Sequence, residues 1–325
     1  MKVLITGANG LLATNTIDLF LKKGYFVKGL IRDKKKFLLK SHPNLELVEA
    51  DILDFTAVEK AMVDCNAVVH IAALTAQNIL EYNVYHKVNV TGTVNMVKAA
   101  VKLNVQKFIY VSSANTMGYG DINNPGTEEN PPKPPFTDAF YPKSKTEAEE
   151  KLLSYSEKID IIRVNPTFML GPYDSKPSSG QIILMGLNKR VVFFPPGGKN
   201  FVDVRDAAKG ILSALENGRP GEAYLLANSN MSYKDFFTLL KRRGNKKKML
   251  MLKIPKNLLL LTGHAGDILR LLKIKTSLSS VNMKILCVSN YYSGDKSQRE
   301  LGLKYQPIEN AVDDAIKWFR NNNMI

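Results

Sequence analysis

The sequence has few of the residues from which disulfide scaffolds and metal sites are built. Its 325 residues include only two cysteines, Cys65 and Cys287, and four scattered histidines. Two distant cysteines form neither a disulfide framework nor a CxxC pair, which is typical of a protein in a reducing compartment. We therefore expect a cytoplasmic protein that binds no metal.

Long apolar runs are also missing. The leucine run Leu258–Leu261 is among the longest, and it is far below the ~20 residues that a membrane-spanning helix requires. A first apolar strand begins almost at Met1, which leaves no room before it for a cleaved signal peptide. The sequence thus predicts no stable membrane insertion.

Acidic residues are the minority among the charged ones. The chain has 45 Lys and Arg against 30 Asp and Glu, a net charge of +15, and 35 of the basic residues are lysines. Such a surface is typical of solubilising, strongly hydrated charge, although it would also attract an anionic cofactor or substrate. Because no nucleic-acid-binding motif is present, the predicted partner is a small molecule and not a nucleic acid, with a homodimer left open.

The N-terminus, M-K-V-L-I-T-G-A-N-G-L-L-A, has the pattern of a buried strand, a glycine turn and a helix. This order aims free backbone N–H groups and the positive end of a helix at one point, which suits a pyrophosphate. Gly7 would permit the tight turn, Gly10 the close approach of backbone to phosphate, and Ala13 the packing of helix on strand. The predicted cofactor-binding residues of this segment are Gly7, Asn9, Gly10, Leu11 and Leu12.

Further apolar strands alternate with helical patterns, which implies right-handed crossovers and a parallel sheet covered on both faces. We predict an α/β fold, a Rossmann-type doubly wound parallel sheet with a smaller C-terminal substrate-binding domain. The sheet domain would span residues 1–174, with 200–227 returning to it, and the substrate-binding domain residues 175–199 and 228–325. The predicted later strands are Phe26–Ile31, Leu45–Val48, Ala67–Ile71, Lys107–Val111 and Ile159–Val164, and the longest predicted helix runs from Tyr82 to Leu103.

Ligands of such sheets bind beyond the carboxyl ends of the strands. After the second strand, Arg32 would accommodate the 2′-phosphate of NADP and Asp33 the ribose hydroxyl of NAD. Arg32 comes first, so we predict NADP, with NAD as the alternative. After the third strand, Asp51 would accept from the adenine amino group and Ile52 would pack on the ring. After His70, which we interpret as a core histidine, come residues that would let a cofactor lie against the backbone: Ile71, Ala72 and Ala73.

The fifth strand is followed by a serine pair and then, 28 residues beyond Ser113, by Y-P-K-S-K. Pro142 suits a first helical position, so Tyr141 and Lys145 would face the same side of a new helix. A nearby ammonium stabilises a phenolate and lowers the pKa of the tyrosine, which makes it a usable proton donor and acceptor.

The same tyrosine–lysine spacing recurs at Tyr292 and Lys296. No serine-tipped strand precedes this second copy. We therefore interpret it as a chance match.

These residues resemble the extended short-chain dehydrogenase/reductases, also called the NAD-dependent epimerase/dehydratase family, over nearly the whole chain. The resemblance rests on T-G-A-N-G-L-L-A, A-D-I-L-D, H-I-A-A, N-V-T-G-T-V-N, V-S-S-A, Y-P-K-S-K and R-V-N-P-T-F-M-L-G-P. It implies that Ser113 polarises the substrate oxygen, that Tyr141 exchanges a proton with it, and that Lys145 tunes the tyrosine and holds the nicotinamide ribose. Ser112 is the alternative serine.

Two further positions match residues that line the cofactor in such enzymes, Asn89 and Pro166. The alternatives are a buried turn asparagine and a strand-ending proline.

Within the family, the later segments look like the dihydroflavonol 4-reductase-like branch, whose members mostly interconvert a carbonyl and an alcohol with NADP(H). These segments are N-F-V-D-V-R-D-A-A-K-G, G-E-A-Y-L-L-A and K-S-Q-R-E-L-G-L-K-Y-Q-P. The dehydratases of the nucleotide-sugar branch resemble one another in a Thr-Asp-Glu triplet where this chain has Ser113, Ala114 and Asn115, so water elimination is not expected. Nucleotide-sugar enzymes also tend to hold the diphosphate with an arginine, where Lys199 stands here.

The resemblance therefore implies an NADP(H)-dependent oxidoreductase acting on a small organic substrate, similar to dihydroflavonol 4-reductases and to aldehyde or ketone reductases. One alternative is a nucleotide-sugar epimerase. The other is a non-catalytic NADP-sensing regulator, although such relatives usually lack the tyrosine.

Three later features complete the predictions. Residues 119–140 are rich in proline, and we interpret them as a loop that forms one wall of the substrate cleft. Met249, Met251 and the leucines of residues 258–272 have spacings suited to a helical core, with a lipid-facing role as the alternative. The basic residues of 241–248 indicate a solvated turn, with contact to an anionic membrane surface or an acidic ligand as the alternative.

Overall fold

The computed structural model describes residues 1–244 and 248–325. Its strands, in chain order, are β1 (Lys2–Thr6), β2 (Phe26–Ile31), β3 (Leu45–Glu49), β4 (Ala67–His70), β5 (Lys107–Val111), β6 (Asp160–Pro166), β7 (Phe168–Leu170), β8 (Val191–Phe194), β9 (Gly198–Asp203), β10 (Ala223–Leu226), β11 (Ser229–Ser232), β12 (Leu250–Lys253) and β13 (Ser289–Asn290).

The α-helices are α1 (Leu11–Lys22), α2 (Phe55–Met62), α3 (Tyr82–Tyr85), α4 (Gly92–Lys102), α5 (Phe140–Leu153), α6 (Gln181–Gly186), α7 (Val204–Asn217), α8 (Tyr233–Arg243), α9 (Lys256–Leu271), α10 (Ser280–Leu286), α11 (Asp295–Leu301) and α12 (Ile308–Asn321). A π-helical segment, His86–Thr91, joins α3 to α4, and short 3₁₀ helices cover Lys34–Lys36 and Ala114–Thr116.

Seven parallel strands form the main sheet, in the spatial order β10-β6-β5-β4-β1-β2-β3. On one face the core includes Ile17 of α1 and Ile211 of α7. On the other face it includes Val58 of α2, Met96 of α4 and Ala148 of α5. Helices therefore cover both faces, and the predicted doubly wound α/β sheet is confirmed.

The six strands predicted from the sequence are present, with bounds that match or differ by one or two residues. The predicted helix from Tyr82 to Leu103 is also present, but the π-helical segment interrupts its regular turns. A single wide turn of this kind leaves no mark on apolar periodicity, and it often lies at a functional site.

The strand order reverses between β1 and β4, which are neighbours in the sheet. A crevice forms at the carboxyl ends of the strands at such a point, and ligands bind there. Gly7 lies in this crevice with a φ of 72°, and a Cβ on it would lie 3.1 Å from the Cα of Ala72. Both the turn and the approach of the segment after β4 therefore require glycine at this position.

The C-terminal part of the chain forms a smaller unit with its own strands. β9 pairs with β7, β11 and β13, and β8 pairs with β12. A second apolar core lies here and includes Phe201, Phe236 and Phe319. The part of the chain between β9 and β11 belongs instead to the main sheet, since α7 packs on α1 and β10 pairs with β6. The predicted domain boundaries, 1–174 with 200–227 against 175–199 and 228–325, stay a prediction.

The predicted core role of the leucine-rich segment is wrong for most of its residues. The leucines of 258–272 do form a helix, α9, but within this described helix only Leu259 is buried among them. Both faces of α9 are apolar, and periodicity does not tell which one is covered. No helix within residues 1–244 and 248–325 is long and apolar enough to cross a membrane. Of the predicted basic turn, Lys246 and Lys247 lie outside the described residues.

Replacing Gly7 with Ala is expected to destabilise the fold more than the same change at Gly24. Gly24 also has a positive φ, of 81°, but nothing lies within 4 Å of the Cβ that an alanine would add. Gly24→Ala therefore measures backbone strain alone, about 1 kcal/mol, whereas Gly7→Ala adds a clash with the backbone of Ala72. The free energy of unfolding in urea measures both. Equal losses would show that the close approach at Ala72 is not tight.

Candidate active site

The N-terminus of α1 meets the glycine turn at the crevice. Gly7 donates to the carbonyl of Leu30 at 3.0 Å, and Gly10 donates to that of Gly7 at 2.8 Å. No described side chain caps the helix, and its first turn contains no acidic residue. Gly10 is exposed, and Asn9 and Leu11 are half-buried. The free N–H groups and the positive end of α1 therefore face an open turn, which fits an anionic phosphate group.

Thr6, at the end of β1, holds the segment that follows β4. Its hydroxyl accepts hydrogen bonds from the N–H groups of Ile71 and Ala72, both at 3.0 Å. Since both of its lone pairs are used, it donates its proton to Nδ1 of His70, 2.9 Å away. His70 then carries its own proton on Nε2 and donates it to the hydroxyl of Thr93 at 3.1 Å.

His70 is a neutral core residue, as predicted. It is 1% exposed, and burial lowers its pKa to about 3, with the charge of Lys145 acting in the same direction. Its ring nitrogens are both engaged by the two threonines. His70 therefore connects structural elements and is not available to a ligand.

Asn89, in the π-helical segment, continues this chain of hydrogen bonds. Thr93 donates to its carbonyl at 2.6 Å. Its side-chain oxygen accepts from the N–H of Leu74 at 2.7 Å, and its amide nitrogen donates to the Leu74 carbonyl at 3.1 Å and to Ser144 at 2.8 Å. Ser144 in turn donates to the carbonyl of Tyr141 at 2.7 Å. This geometry favours the buried structural alternative for Asn89, and its contact with a cofactor stays a prediction.

Ser113 and Tyr141 come together at the carboxyl end of β5. The Ser113 hydroxyl acts to lower the pKa of Tyr141, so the two side chains lie near each other, and Ser113 Oγ accepts from the N–H of Asn115 at 3.2 Å. Burial raises the pKa of Tyr141 to about 12, against the opposite effect of Ser113. Desolvation of the phenol prevails over Ser113, and the lowering of this pKa by Lys145 stays a prediction. Tyr141 keeps its proton at neutral pH.

Lys145 lies one turn further along α5 and is 2% exposed. Its Nζ donates to the carbonyl of Val111 at 2.7 Å and lies 4.2 Å from the ring centroid of Tyr110. Burial lowers the pKa of Lys145 to about 7, although the nearby carboxylate of Glu149 acts to raise it. An ammonium has three donors, so further hydrogen bonds to a ligand remain open to it.

Glu149 is a residue that the sequence analysis missed. It is 8% exposed, and its Oε1 accepts from the hydroxyl groups of Ser112 and, at 2.9 Å, of Thr116. Its Oε2 accepts from Arg163 of β6 at 3.3 Å, and Asn165 donates to Oε1 at the same distance. A buried carboxylate with several donors around it holds α5 against the ends of β5 and β6.

This network distinguishes the two serines. Ser112 donates to Glu149, whereas Ser113 is the serine that acts on the pKa of Tyr141. The signal in the sequence was the four-residue spacing of Lys145 and Glu149, which places both on one face of α5. The pattern did not reveal that this face is buried.

At the far end of β2, the two candidates for cofactor choice differ in their surroundings. Asp33 accepts from the N–H of Lys35 at 3.1 Å and is paired with Lys36 at 2.6 Å. The hydrogen bond from Lys36 holds the pKa of Asp33 below its usual range. Arg32 is exposed, and no described residue makes a hydrogen bond or ion pair with its guanidinium.

The remaining predicted cofactor residues lie along the same edge of the sheet with different exposure. Asp51 is exposed and accepts from the N–H of Leu53 at 2.9 Å. Ile52 is 7% exposed and packs against Gly92, where a Cβ would lie 2.6 Å from its Cδ1. Contact of these residues with a cofactor stays a prediction. Ile71, Ala72 and Ala73 are half-buried, and Leu12 and Pro166 are buried.

The second tyrosine–lysine pair has structural partners. Tyr292 is 2% exposed and its hydroxyl lies 3.4 Å from the carbonyl of Met117. Lys296 forms an ion pair with Glu222 at 2.7 Å. These contacts support the interpretation of this pair as a chance match.

The C-terminal unit brings further polar groups toward Ser113. Asn290 of β13 donates to Asn115 at 3.3 Å. Lys199 of β9 is half-buried, its Nζ lies 4.9 Å from the ring centroid of Phe168, and burial lowers its pKa to about 8. A cavity of about 690 Å³ lies between the loop of residues 118–133 and the start of β13. The proline-rich loop thus lines this space, whose lining includes none of Ser113, Tyr141 and Lys145, and its role as a wall of the substrate cleft stays a prediction.

Comparison with protein families gives a match over most of the chain. Residues 3–227 match the model described as the NAD dependent epimerase/dehydratase family. The matched range contains the glycine turn, Ser113, Tyr141 and Lys145.

Similar proteins match nearly end to end. The chain is 28% identical to "Putative dihydroflavonol 4-reductase" of Synechocystis over 334 residues, covering 99% of this chain and 95% of that protein. It is 27% identical to "4-hydroxy-2-methyl-3-oxo-4-farnesyl-3,4-dihydroquinoline-1-oxide ketoreductase" of Stigmatella aurantiaca, covering 98% and 96%. Among solved structures, that of gox2253 is similar with a TM-score of 0.84 and 28% identity, covering 99% of each chain.

Stability is expected to decrease as the pH is lowered, because of His70. Its folded pKa, about 3, lies below the unfolded value of about 6.5. Its contribution is therefore complete above about pH 6.5 and is lost as the pH falls from there toward the folded pKa. Between about pH 7 and about pH 5 the loss from this group is about 2 kcal/mol.

Urea unfolding of the wild type and of His70→Gln at both pH values measures this loss of stability. The variant is expected to be less stable at neutral pH but less sensitive to acid. His264→Gln, at an exposed position of α9, is the control and should keep the wild-type pH dependence. If His70→Gln keeps it as well, another group carries the acid sensitivity.

Proposed function

The chain belongs to the NAD dependent epimerase/dehydratase family, and on that premise we propose that it is an NADP(H)-dependent oxidoreductase. It interconverts a carbonyl and a secondary alcohol on a small organic substrate. Its catalytic residues are Ser113, Tyr141 and Lys145.

One observation carries this proposal. The Ser113 hydroxyl lies near enough to the Tyr141 phenol, at the carboxyl end of β5, to act on its pKa, and both stand beside the crevice at the ends of β1 and β4. Two adjacent hydroxyl donors suit the oxygen of a carbonyl, which accepts two hydrogen bonds as negative charge develops on it. Lys145 lies one turn away on the same helix, as a positive charge near the phenol.

Ser113, Tyr141 and Lys145 have different roles in the reduction of the carbonyl. A bound nicotinamide would supply the hydride for the carbonyl carbon. Ser113 orients and polarises the carbonyl oxygen, and Tyr141 gives that oxygen its proton, since its raised pKa of about 12 keeps the phenol protonated at neutral pH. The Lys145 ammonium, held by the Val111 carbonyl, stabilises the phenolate that remains and would bind the ribose of the cofactor.

The uncapped N-terminus of α1 and the exposed Gly10 would hold the pyrophosphate. We assign NADP over NAD because Asp33 is occupied by Lys36 and the N–H of Lys35. A carboxylate that already accepts hydrogen bonds from these two groups is less available to accept one from a ribose hydroxyl. The exposed guanidinium of Arg32 suits a 2′-phosphate, since a planar fork binds phosphate oxygens in pairs.

For the substrate class we propose an apolar ketone or its alcohol. The Stigmatella relative is described as a ketoreductase of a farnesyl-bearing dihydroquinoline oxide, and the Synechocystis relative as a dihydroflavonol reductase. Ala114 and Asn115 follow Ser113 and supply no carboxyl group for elimination of water.

A nucleotide-sugar epimerase is the second candidate: Lys199 stands where such enzymes tend to have an arginine, but its ammonium could still bind a diphosphate. This half-buried ammonium lies over Phe168, and no carboxylate among the described residues forms an ion pair with it. A diphosphate would be a suitable partner. An epimerase returns its hydride to the same substrate, so tightly held nicotinamide in stoichiometric amount in the purified protein, without net NADPH consumption, would favour this candidate.

Replacing Tyr141 with Phe is expected to lower kcat for reduction of a ketone by at least about a hundredfold, because it removes the proton donor. The measurement is NADPH consumption with a panel of aromatic and prenylated ketones, together with NADPH binding by fluorescence. Binding should persist, since only a hydroxyl is removed.

The matched control for this change is Tyr292→Phe, at the second tyrosine–lysine pair, which should turn over at the wild-type rate. Undiminished turnover by Tyr141→Phe would refute the assigned role. A wild type that binds NADPH but reduces or oxidises nothing in either direction would favour the non-catalytic sensor.

Replacing Arg32 with Ala is expected to raise the KM for NADPH by about tenfold or more and to leave that for NADH nearly unchanged, because NADH lacks the 2′-phosphate. Lys34→Ala removes the same charge from a neighbouring exposed position and serves as the control. Equal effects of Arg32→Ala on both cofactors would mean that Arg32 does not contact the 2′-phosphate.

A further inference from the structure

The helix α9 is apolar on two opposite sides, and only one of them is covered. On the covered side Gly263 and Gly266 allow close packing, since a Cβ on them would lie 2.8 Å from the Cα of Ser280 and 2.5 Å from the carbonyl oxygen of Leu278, respectively. Leu259 is buried on the same side. These contacts fix the orientation of the helix on the rest of the protein.

The other side of α9, which we call the α9 outer face, is exposed. Its residues recur at spacings of three and four, so they form one line along the helix. Leu261 is 66% exposed, Ile268 60% and Leu272 67%. No charged residue interrupts this line. The α9 outer face consists of Leu258, Leu261, Ala265, Ile268 and Leu272.

A second exposed apolar surface leads directly into α9. In the pair β8–β12, Leu250 lies opposite Val191 and Leu252 opposite Phe193, and all four side chains are exposed. β12 continues through Pro255 into α9. Twelve of the twenty large hydrophobic side chains exposed in the described parts of the chain fall within residues 185–278, so the exposure is concentrated in this part of the molecule.

The same part of the chain carries most of the net positive charge. Residues 241–284 contain twelve Lys and Arg and a single acidic residue, Asp267, which leaves a local charge of +11 out of the total of +15. Lys253 and Lys256 lie before and at the start of α9, and Lys273 and Lys275 follow its end; all four are exposed. An apolar line with lysines at both ends is the pattern of a helix that lies in the interface of an anionic bilayer.

We propose that the α9 outer face, with the exposed side of β8–β12 and the lysines around them, binds the surface of an anionic phospholipid bilayer. The apolar side chains enter the headgroup–acyl boundary and the ammonium groups remain among the phosphates. A second copy of the chain is a poor occupant, because two surfaces of the same strong positive charge would face each other. A nucleic acid would leave the apolar line uncovered.

The proposed docking helix is joined to the active-site region. Arg270 of α9 donates to the carbonyl of Ile79 at 2.7 Å, in the segment that runs from Ala73 to α3. Docking would therefore bring this segment, which begins beside Gly7 at the crevice, near the bilayer, from which an apolar substrate could enter. This consequence rests on the proposed function, whereas binding to a bilayer does not.

The test is co-sedimentation of the full chain with lipid vesicles, which needs no catalytic activity. Vesicles of phosphatidylcholine with about one third phosphatidylglycerol should bind the wild type, and vesicles of phosphatidylcholine alone should bind it at least about tenfold more weakly. Leu261→Ser with Ile268→Ser should weaken binding to the anionic vesicles by at least about tenfold. Because both side chains are mostly exposed, the fold should persist, and circular dichroism verifies this.

Two control variants separate the apolar and the charged contributions. Ile122→Ser changes an exposed isoleucine, 63% accessible, outside the proposed surface and should bind as the wild type does. Lys273→Ala with Lys275→Ala should weaken binding and reduce its dependence on salt, whereas Lys151→Ala with Lys158→Ala, at exposed positions elsewhere, should not.

The proposal is overturned if the wild type does not bind anionic vesicles, or if Leu261→Ser with Ile268→Ser binds them as well as the wild type. A dimer in sedimentation velocity that these two substitutions dissociate, without vesicle binding, would assign the surface to a second copy. If the wild type is monomeric and does not bind vesicles, the surface would be assigned to a protein partner, and the proposal would also be overturned.

Discussion

The hydroxyl of Thr6 connects the ends of β1 and β4, the two neighbouring strands between which the strand order reverses. It accepts from the N–H groups of Ile71 and Ala72 and donates to His70, and so it fixes where the segment after β4 leaves the sheet. That segment must pass against Gly7, which has no side chain to keep it away. If this position carried a residue without a hydroxyl, two half-buried N–H groups would lose their acceptor, which would destabilise the crevice. The crevice at this point therefore depends on one side chain.

The same chain of hydrogen bonds continues to the candidate catalytic helix. From His70 it passes through Thr93 to Asn89, and from the Asn89 amide through Ser144 to the backbone of Tyr141. These links are 2.6 to 3.1 Å long and all but the last are buried, so they connect the glycine turn to the start of α5. Glu149 holds the other side of α5 to the ends of β5 and β6. Two polar networks, one on each side, thus determine where Tyr141 lies.

The sequence predicted the sheet well because strands buried on both faces are continuous apolar runs, and alternation with helices constrains their order. It also distinguished Tyr141 from Tyr292, because the serine-tipped strand that precedes the first is a feature of chain order. It missed Glu149 and kept Ser112 as an alternative to Ser113, since both questions depend on which side of α5 faces the sheet. It also assigned the leucines of α9 to a core, because periodicity identifies an apolar face but not its neighbour.

The pKa values of the site depend on the same burial. A phenol and an ammonium that share a buried site are shifted in opposite directions, because burial disfavours the charged form of each. The pKa of Tyr141 is raised to about 12 and that of Lys145 is lowered to about 7, so burial shifts each group toward its neutral form. An anionic cofactor beside Lys145 would favour its charged form, and an ammonium would in turn stabilise a phenolate on Tyr141. Under the proposed function, proton transfer from Tyr141 would therefore be coupled to occupation of the crevice, and this coupling would require that the α1 N-terminus and α5 stay at the separation that Thr6 and Asn89 maintain.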